Sequence, residues 1–150
     1  MRELRSEIEI DAPQERVWRV LTYFGAYPEW NPFIRAIEGD LTPGSRLRVR
    51  IEPPGARATT FKPTLLAVAP NRELRWRGRL LLPGVFDGEH RLTLDRAGEA
   101  RTRFVQSETF RGVLVPLLGR ALDSTARGFE EMNQALKVRV EAAADRPQAS

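Results

Sequence analysis

From Ile34 to Phe110 the apolar residues return at every second position, and from Leu114 onward they return at every third or fourth. The first period belongs to strands that bury one face, the second to a helix that buries one stripe. Leu47, Val49 and Ile51 alternate with Arg46, Arg48 and Arg50. Leu74, Trp76, Gly78, Leu80 and Leu82 alternate with Arg75, Arg77 and Arg79. Phe86, Gly88, His90, Leu92 and Leu94 oppose Asp87, Glu89, Arg91 and Thr93. After a turn at Asp95–Glu99, Thr102, Phe104, Gln106, Glu108 and Phe110 share a face. A strand over Ala58–Val68 is expected to bend near Pro63, which has no N–H to give to a ladder. Short turns at Pro53-Pro54-Gly55 and Pro83-Gly84 join such runs, which implies an antiparallel meander.

Ahead of the meander, Leu4–Ile10 alternates like a half-buried strand. Asp11, Pro13 and Gln14 then read as a helix start with Asp11 as the cap. Val17, Trp18, Val20, Leu21 and Phe24 carry helical spacing until Gly25, Pro28 and Pro32 break it, leaving room for a short second helix near Ala26–Trp30. Past Gly112, the residues Leu114, Leu118, Ala121, Thr125, Phe129, Met132, Leu136 and Val140 form one stripe. Pro116 falls in the first turn, where a missing N–H is tolerated. The expected helix, Val113–Glu141, is about 28 residues and roughly 40 Å long. Ala142–Ser150 reads as a frayed tail.

A length of 150 residues, 41% hydrophobic and 29% charged, suits one globular domain over 1–150 with its core at about 3–141. The expected class is α+β: a curved antiparallel sheet of six to seven strands wrapped around a long C-terminal helix, with two short helices after the first strand. That helix is the only element large enough to cover the sheet. A curved sheet against one helix leaves a void at its wide end, where small molecules bind.

There is no cysteine and only one histidine, which excludes disulfides, thiolate sites and multi-histidine metal sites. No phosphate-binding glycine loop, nucleophile elbow or lysine–carboxylate set is present, so no cofactor and no metal are expected. The N-terminus is charged, without an apolar secretion segment, and no run approaches the ~18 apolar residues of a membrane span. The expected setting is cytoplasmic. The net charge is +4 and the pI about 10.3, and among the basic residues only Lys62 and Lys137 are lysines. Arginine-rich codon usage accounts for this better than a selected basic surface does. The arginines at 46, 48, 50, 75, 77, 79, 101 and 103 fall on outward strand faces. No aromatic residues accompany them for base stacking, so no specific nucleic-acid partner is expected.

The opening strand leading into IDAPQERVWRVLTYFGAYPEWNPFI, the segments ELRWRGRLLLPGVFDGEHRLTL and TRFVQSETFRGVL, and the terminal GFEEMNQALKVRVE together resemble the START-like (SRPBCC) superfamily. That superfamily includes polyketide cyclases/dehydratases, lipid-transfer domains and plant pathogenesis-related allergens. The resemblance spans about residues 3–141 and rests on scaffold motifs. It implies a helix-grip fold and an apolar ligand, and it leaves function open among binding, carrying, sensing and cyclising.

Within that frame the expected ligand-facing residues are Trp30, Phe33, Trp76, Phe86, His90, Phe104, Gln106, Glu108, Phe110, Leu118, Phe129 and Met132. Trp76, Phe104 and Met132 are the foremost cavity candidates, with Trp30 and Asn31 at the rim. Tyr23 and Tyr27 flank the short helices and read as packed or surface residues. If Leu92 pairs near Phe104, His90 lies opposite Gln106 and diagonal to Glu108. Three readings of the His90–Glu108 pair stay open: a structural network, a clamp for a ligand's polar group, or an acid–base pair. The leading functional expectation is a carrier or sensor of a polyketide, lipid, isoprenoid or aromatic metabolite. The alternatives are a cyclase/dehydratase-type enzyme using His90 and Glu108, and an interaction module using the basic face. The chain could serve either as a monomer or as a homodimer.

Overall fold

The computed structural model describes residues 1–80 and 84–144. Leu82, Pro83 and most of the tail lie outside the described residues. Strand β1 (Arg2–Ile10) leads into helix α1 (Gln14–Thr22), a 3-10 turn (Phe24–Ala26) and helix α2 (Tyr27–Trp30). Strands β2 (Ile34–Glu38), β3 (Arg48–Ile51), β4 (Thr59–Phe61), β5 (Thr64–Ala69), β6 (Glu73–Leu80), β7 (Phe86–Gly98) and β8 (Arg101–Arg111) follow. A second 3-10 turn (Val115–Leu117) precedes helix α3 (Gly119–Ala144).

The class is α+β and the architecture is the helix grip. Among the described residues the strands number eight, in a five-stranded sheet ordered β1-β8-β7-β6-β5 and a three-stranded sheet ordered β2-β3-β4, all antiparallel. Pro63 is the physical reason that Ala58–Val68 is not one strand. It interrupts the donors between β4 and β5 and sends them to different sheets. The carbonyl of Pro63 still accepts the Leu47 N–H, and Gly44 N–H donates to Leu65 O. With Leu65 N–H on Ser45 O, these bonds sew the small sheet to the edge of the large one.

Buried side chains follow the strand period: Leu4 and Ile10 in β1, Leu74 and Trp76 in β6, His90, Leu92 and Leu94 in β7, Phe104, Gln106 and Phe110 in β8. Against them α3 lays Leu122, Phe129, Met132, Leu136 and Val140. Its 26 residues make a rod of about 39 Å. Helix α3 starts later than Val113: Pro116 lies in the preceding 3-10 turn, and Leu114 and Leu118 stay half-buried off the helical stripe. Gly128 lets Phe33 press on the helix, because a Cβ there would stand 2.3 Å from the Phe33 ring.

The start of α1 differs from the capping expectation. Its N-cap is Pro13 and no side chain caps it. Asp11 instead accepts from Arg101 Nε at 3.2 Å and gives its own N–H to Glu141 Oε2 at 2.9 Å. Gln14 donates to the carbonyls of Asn71 and Leu94. Both residues tie the chain's distant parts together, and neither side chain caps the helix.

Candidate functional site

Two glycines create the site. Gly78 in β6 and Gly88 in β7 are direct cross-strand partners, and Gly88 also faces Phe110 of β8. With no side chains at two adjoining inward positions, the sheet cannot fill the space beneath the first turns of α3. A partly open cavity of about 280 Å³ results. Trp76, His90, Glu108, Phe86 and Phe110 wall it from the large sheet, with Phe86 and Phe110 stacked at 5.4 Å. Val49 and Ile51 of β3 and Thr59 and Phe61 of β4 close the opposite wall. Leu118, Ala121, Leu122 and Thr125 form the roof, and the exposed Arg57 and Phe61 mark the mouth.

His90 is the most constrained polar residue in this wall. It is 2% exposed. Its ring stacks on Trp76 at 4.8 Å, nearly parallel, and meets the edge of Phe129 at 5.2 Å. Nδ1 lies 3.1 Å from Glu108 Oε1 and Nε2 3.0 Å from Gln106 Oε1. Gln106 in turn donates to Asn133 Oδ1 at 2.9 Å, and Asn133 donates to Ser6 Oγ at 3.0 Å. With the amides in this orientation both imidazole nitrogens face acceptors, so a single proton is shared between Nδ1 and Oε1 while Nε2–H holds Gln106. The network runs from the cavity through the core to β1 and binds α3 to three strands.

The register differs from the expected one by two residues. His90 stands directly opposite Glu108, Leu92 opposite Gln106 and Leu94 opposite Phe104. The reason is the turn: β7 continues through Asp95–Gly98 with a bulge, and the reversal is confined to Glu99 and Ala100, the latter at φ 54°. The shared inward face of the two residues is unaffected, since a two-residue slip preserves parity.

Of the residues expected to meet a ligand, Trp76, Phe86, His90, Glu108, Phe110 and Leu118 lie in the cavity wall. Phe33, Phe104, Gln106, Phe129 and Met132 are packed in the core outside that lining. Phe104 and Met132 sit past the polar network, where Leu94, Leu136 and Val140 are also buried and the core is closed. Trp30 and Asn31 are not at the rim. Trp30 packs edge-on to Tyr27 at 5.1 Å. Asn31 Oδ1 accepts the N–H groups of Phe33 and Ile34, shaping the exit from α2. Tyr27 is buried with its hydroxyl donating to Leu21 O, and burial pushes its phenol far above the usual range. Tyr23 is exposed. The β3, β4 and loop residues in the wall escaped the sequence reading. Gly78 and Gly88 were the available signal, because inward glycines in successive strands mark missing volume.

On the outer face carboxylates interleave with the arginines. Arg75 lies near Glu73 and Glu89, Arg91 near Glu73, Arg79 near Asp87, and Arg101 and Arg103 near Glu9. Among the described residues no group of three or more His, Cys, Asp or Glu side chains could hold a metal ion. No described helix is long and apolar enough to cross a membrane.

The family model described as polyketide cyclase/dehydrase and lipid transport matches residues 1–144. The chain belongs to that family. Among solved structures it is similar to the Zhui aromatase/cyclase of Streptomyces sp. R1128, at 18% identity and TM-score 0.75, covering 95% of each chain. It is similar at 22% identity and TM-score 0.72 to a START superfamily protein of Mycobacterium smegmatis, covering 94% of this chain and 98% of that one. A norcoclaurine synthase of Thalictrum flavum aligns at 15% identity and TM-score 0.75 over 96% of both. The chain spans 48% of the di-domain ARO/CYC BexL, which it matches at 19% identity and TM-score 0.73. At these identities the likeness speaks for the fold. A search of the curated proteins returns no match.

Proposed function

We propose that the protein binds a small, largely apolar molecule in the cavity between the sheets and α3, as a carrier or sensor of a metabolite of the polyketide, isoprenoid, lipid or aromatic kind. The observation that supports this most is the cavity itself: two inward glycines hold open about 280 Å³ where side chains would otherwise close the core. Keeping such a void forfeits packing contacts, about 1 kcal/mol or more for each methyl-sized gap. A chain under selection for stability alone would fill it. Its wall is apolar apart from one carboxylate–imidazole pair and the rim, the composition of a ligand pocket.

Filling the void separates this reading from binding elsewhere. A Cβ at Gly78 would meet only Pro63, at 3.9 Å, so Gly78→Leu should fold while occupying the cavity. Wild-type protein is expected to bind naphthalene saturably, one to one, by NMR titration. The variant should bind at least about tenfold more weakly with unchanged circular dichroism. Equal binding by both proteins would show that the cavity is not the site.

A second reading, proton transfer, is favoured by one feature. Glu108 Oε1 is bonded to His90 and its Oε2 is left to the cavity, the posture of a carboxylate general base steadied by a neighbouring imidazole. On that reading Glu108 takes a proton from a carbon acid beside a carbonyl of the bound molecule, and His90 holds the carboxyl in place. The carboxylates beside Arg75, Arg79, Arg91, Arg101 and Arg103 weigh against the basic-surface reading on the large sheet.

A further inference from the structure

The His90–Gln106–Glu108 network in the cavity wall offers a ligand one kind of partner. His90 has no free nitrogen: Nδ1 is engaged by Glu108 and Nε2 by Gln106, and Trp76 and Phe129 hold the ring in its plane. Gln106 is spent on His90 and Asn133. What remains is Glu108 Oε2, which makes no hydrogen bond within the described residues and borders the space over Gly88. A Cβ on Gly88 would stand 2.5 Å from it, so the glycine is what gives this oxygen its place.

With the proton of the pair on Nδ1 or on Oε1, Oε2 is a bare acceptor. With the proton on Nδ1, Glu108 is a carboxylate. With the proton on Oε1, Oε2 is the carbonyl oxygen of the acid. Turning the Gln106 and Asn133 amides over makes Nδ1 the sole ring donor and leaves Oε2 an acceptor again. The cations of the lining are of no help to an anion placed here. Arg57 and Arg79 are exposed at the rim, and Arg79 already lies 3.7 Å from Asp87.

We propose that the ligand carries a hydrogen-bond donor at its buried end, a phenol, alcohol or amine on an apolar ring system, and that Glu108 selects it against carboxylic acids. This rests on the cavity-binding reading above and adds the ligand's chemical class to it. A carboxylate against Oε2 would set acceptor against acceptor in a desolvated space, which costs more than leaving the position empty. The pocket thereby discriminates against fatty acids and aromatic acids, which share the same apolar bodies.

Three probes of one shape test this by calorimetry: naphthalene, 2-naphthol and 2-naphthoate, with wild-type protein and Glu108→Gln. For wild type, 2-naphthol is expected to bind about fivefold or more tightly than naphthalene, the scale of one net hydrogen bond, and 2-naphthoate no better than naphthalene. In Glu108→Gln the amide oxygen takes the His90 N–H and turns its NH2 to the cavity. The advantage of 2-naphthol should vanish and 2-naphthoate should gain. Tighter binding of 2-naphthoate by wild type, or a 2-naphthol advantage that survives in Glu108→Gln, would overturn the assignment while leaving the cavity reading intact. If none of the three binds, including naphthalene, both fail.

Discussion

Phe129 and Leu118 should respond differently to truncation although the sequence pattern puts both in one apolar stripe. Phe129 is fully buried, edge-on to Phe33 at 5.6 Å and to His90 at 5.2 Å. Phe129→Ala is expected to cost about 3–5 kcal/mol in urea unfolding, because its neighbours cannot collapse into the gap. Leu118 is half-buried and borders open space, so Leu118→Ala should cost under about 2 kcal/mol and weaken naphthalene binding instead. Equal costs would mean that the cavity mouth is packed shut. At this scale parity was legible in the sequence: His90 and Glu108 had to share the inward face with Leu92 and Phe104. The partner of His90 was not, because register depends on how few residues the turn uses, and Ala100 adopts a left-handed conformation that an alanine does not advertise.

Elements were legible as periods and illegible as ends. The switch from period two to period 3.6 places β6, β7, β8 and α3 within a few residues. Asp11, by contrast, has the composition of a helix cap but is drawn off by Arg101 and Glu141, contacts 90 and 130 residues away in sequence. The clip between β1 and α3 has a pH dependence of its own. Burial raises the Glu141 carboxyl, but the Asp11 N–H bond and Lys137 outweigh it and hold the group below its ordinary value. A depressed carboxylate contributes stability above its unfolded value, and that contribution is lost as pH falls through the folded value. The melting temperature of wild type should therefore exceed that of Glu141→Gln near neutral pH, and the gap should close on acidification. Glu141 keeps 30% exposure, so the gap should be small. A gap that stays constant down to strongly acidic pH would remove the ion pair from the explanation.

At the scale of the whole molecule, the ligand site arises where a three-stranded sheet is sewn to the edge of a five-stranded one and both meet α3. No single segment shows this. The large-sheet wall was legible through Trp76, Phe86 and Phe110, whose inward parity is local information. Val49, Ile51, Phe61 and Pro53 were not, because they reach the cavity through the way the chain passes between the two sheets around Pro63. The core placement of Phe104 and Met132 likewise depends on where along its length α3 closes on the sheet, which is a tertiary matter.

The central claim is that a ligand lies against the His90–Glu108 pair, and one measurement addresses it directly. His90 is the only histidine in the chain, so protein labelled with nitrogen-15 histidine gives the imidazole signals of this site alone. On titration with 2-naphthol, both ring nitrogens of His90 should shift in proportion to occupancy and saturate at one equivalent. Saturable binding that leaves the imidazole signals unmoved would place the ligand elsewhere and contradict the claim.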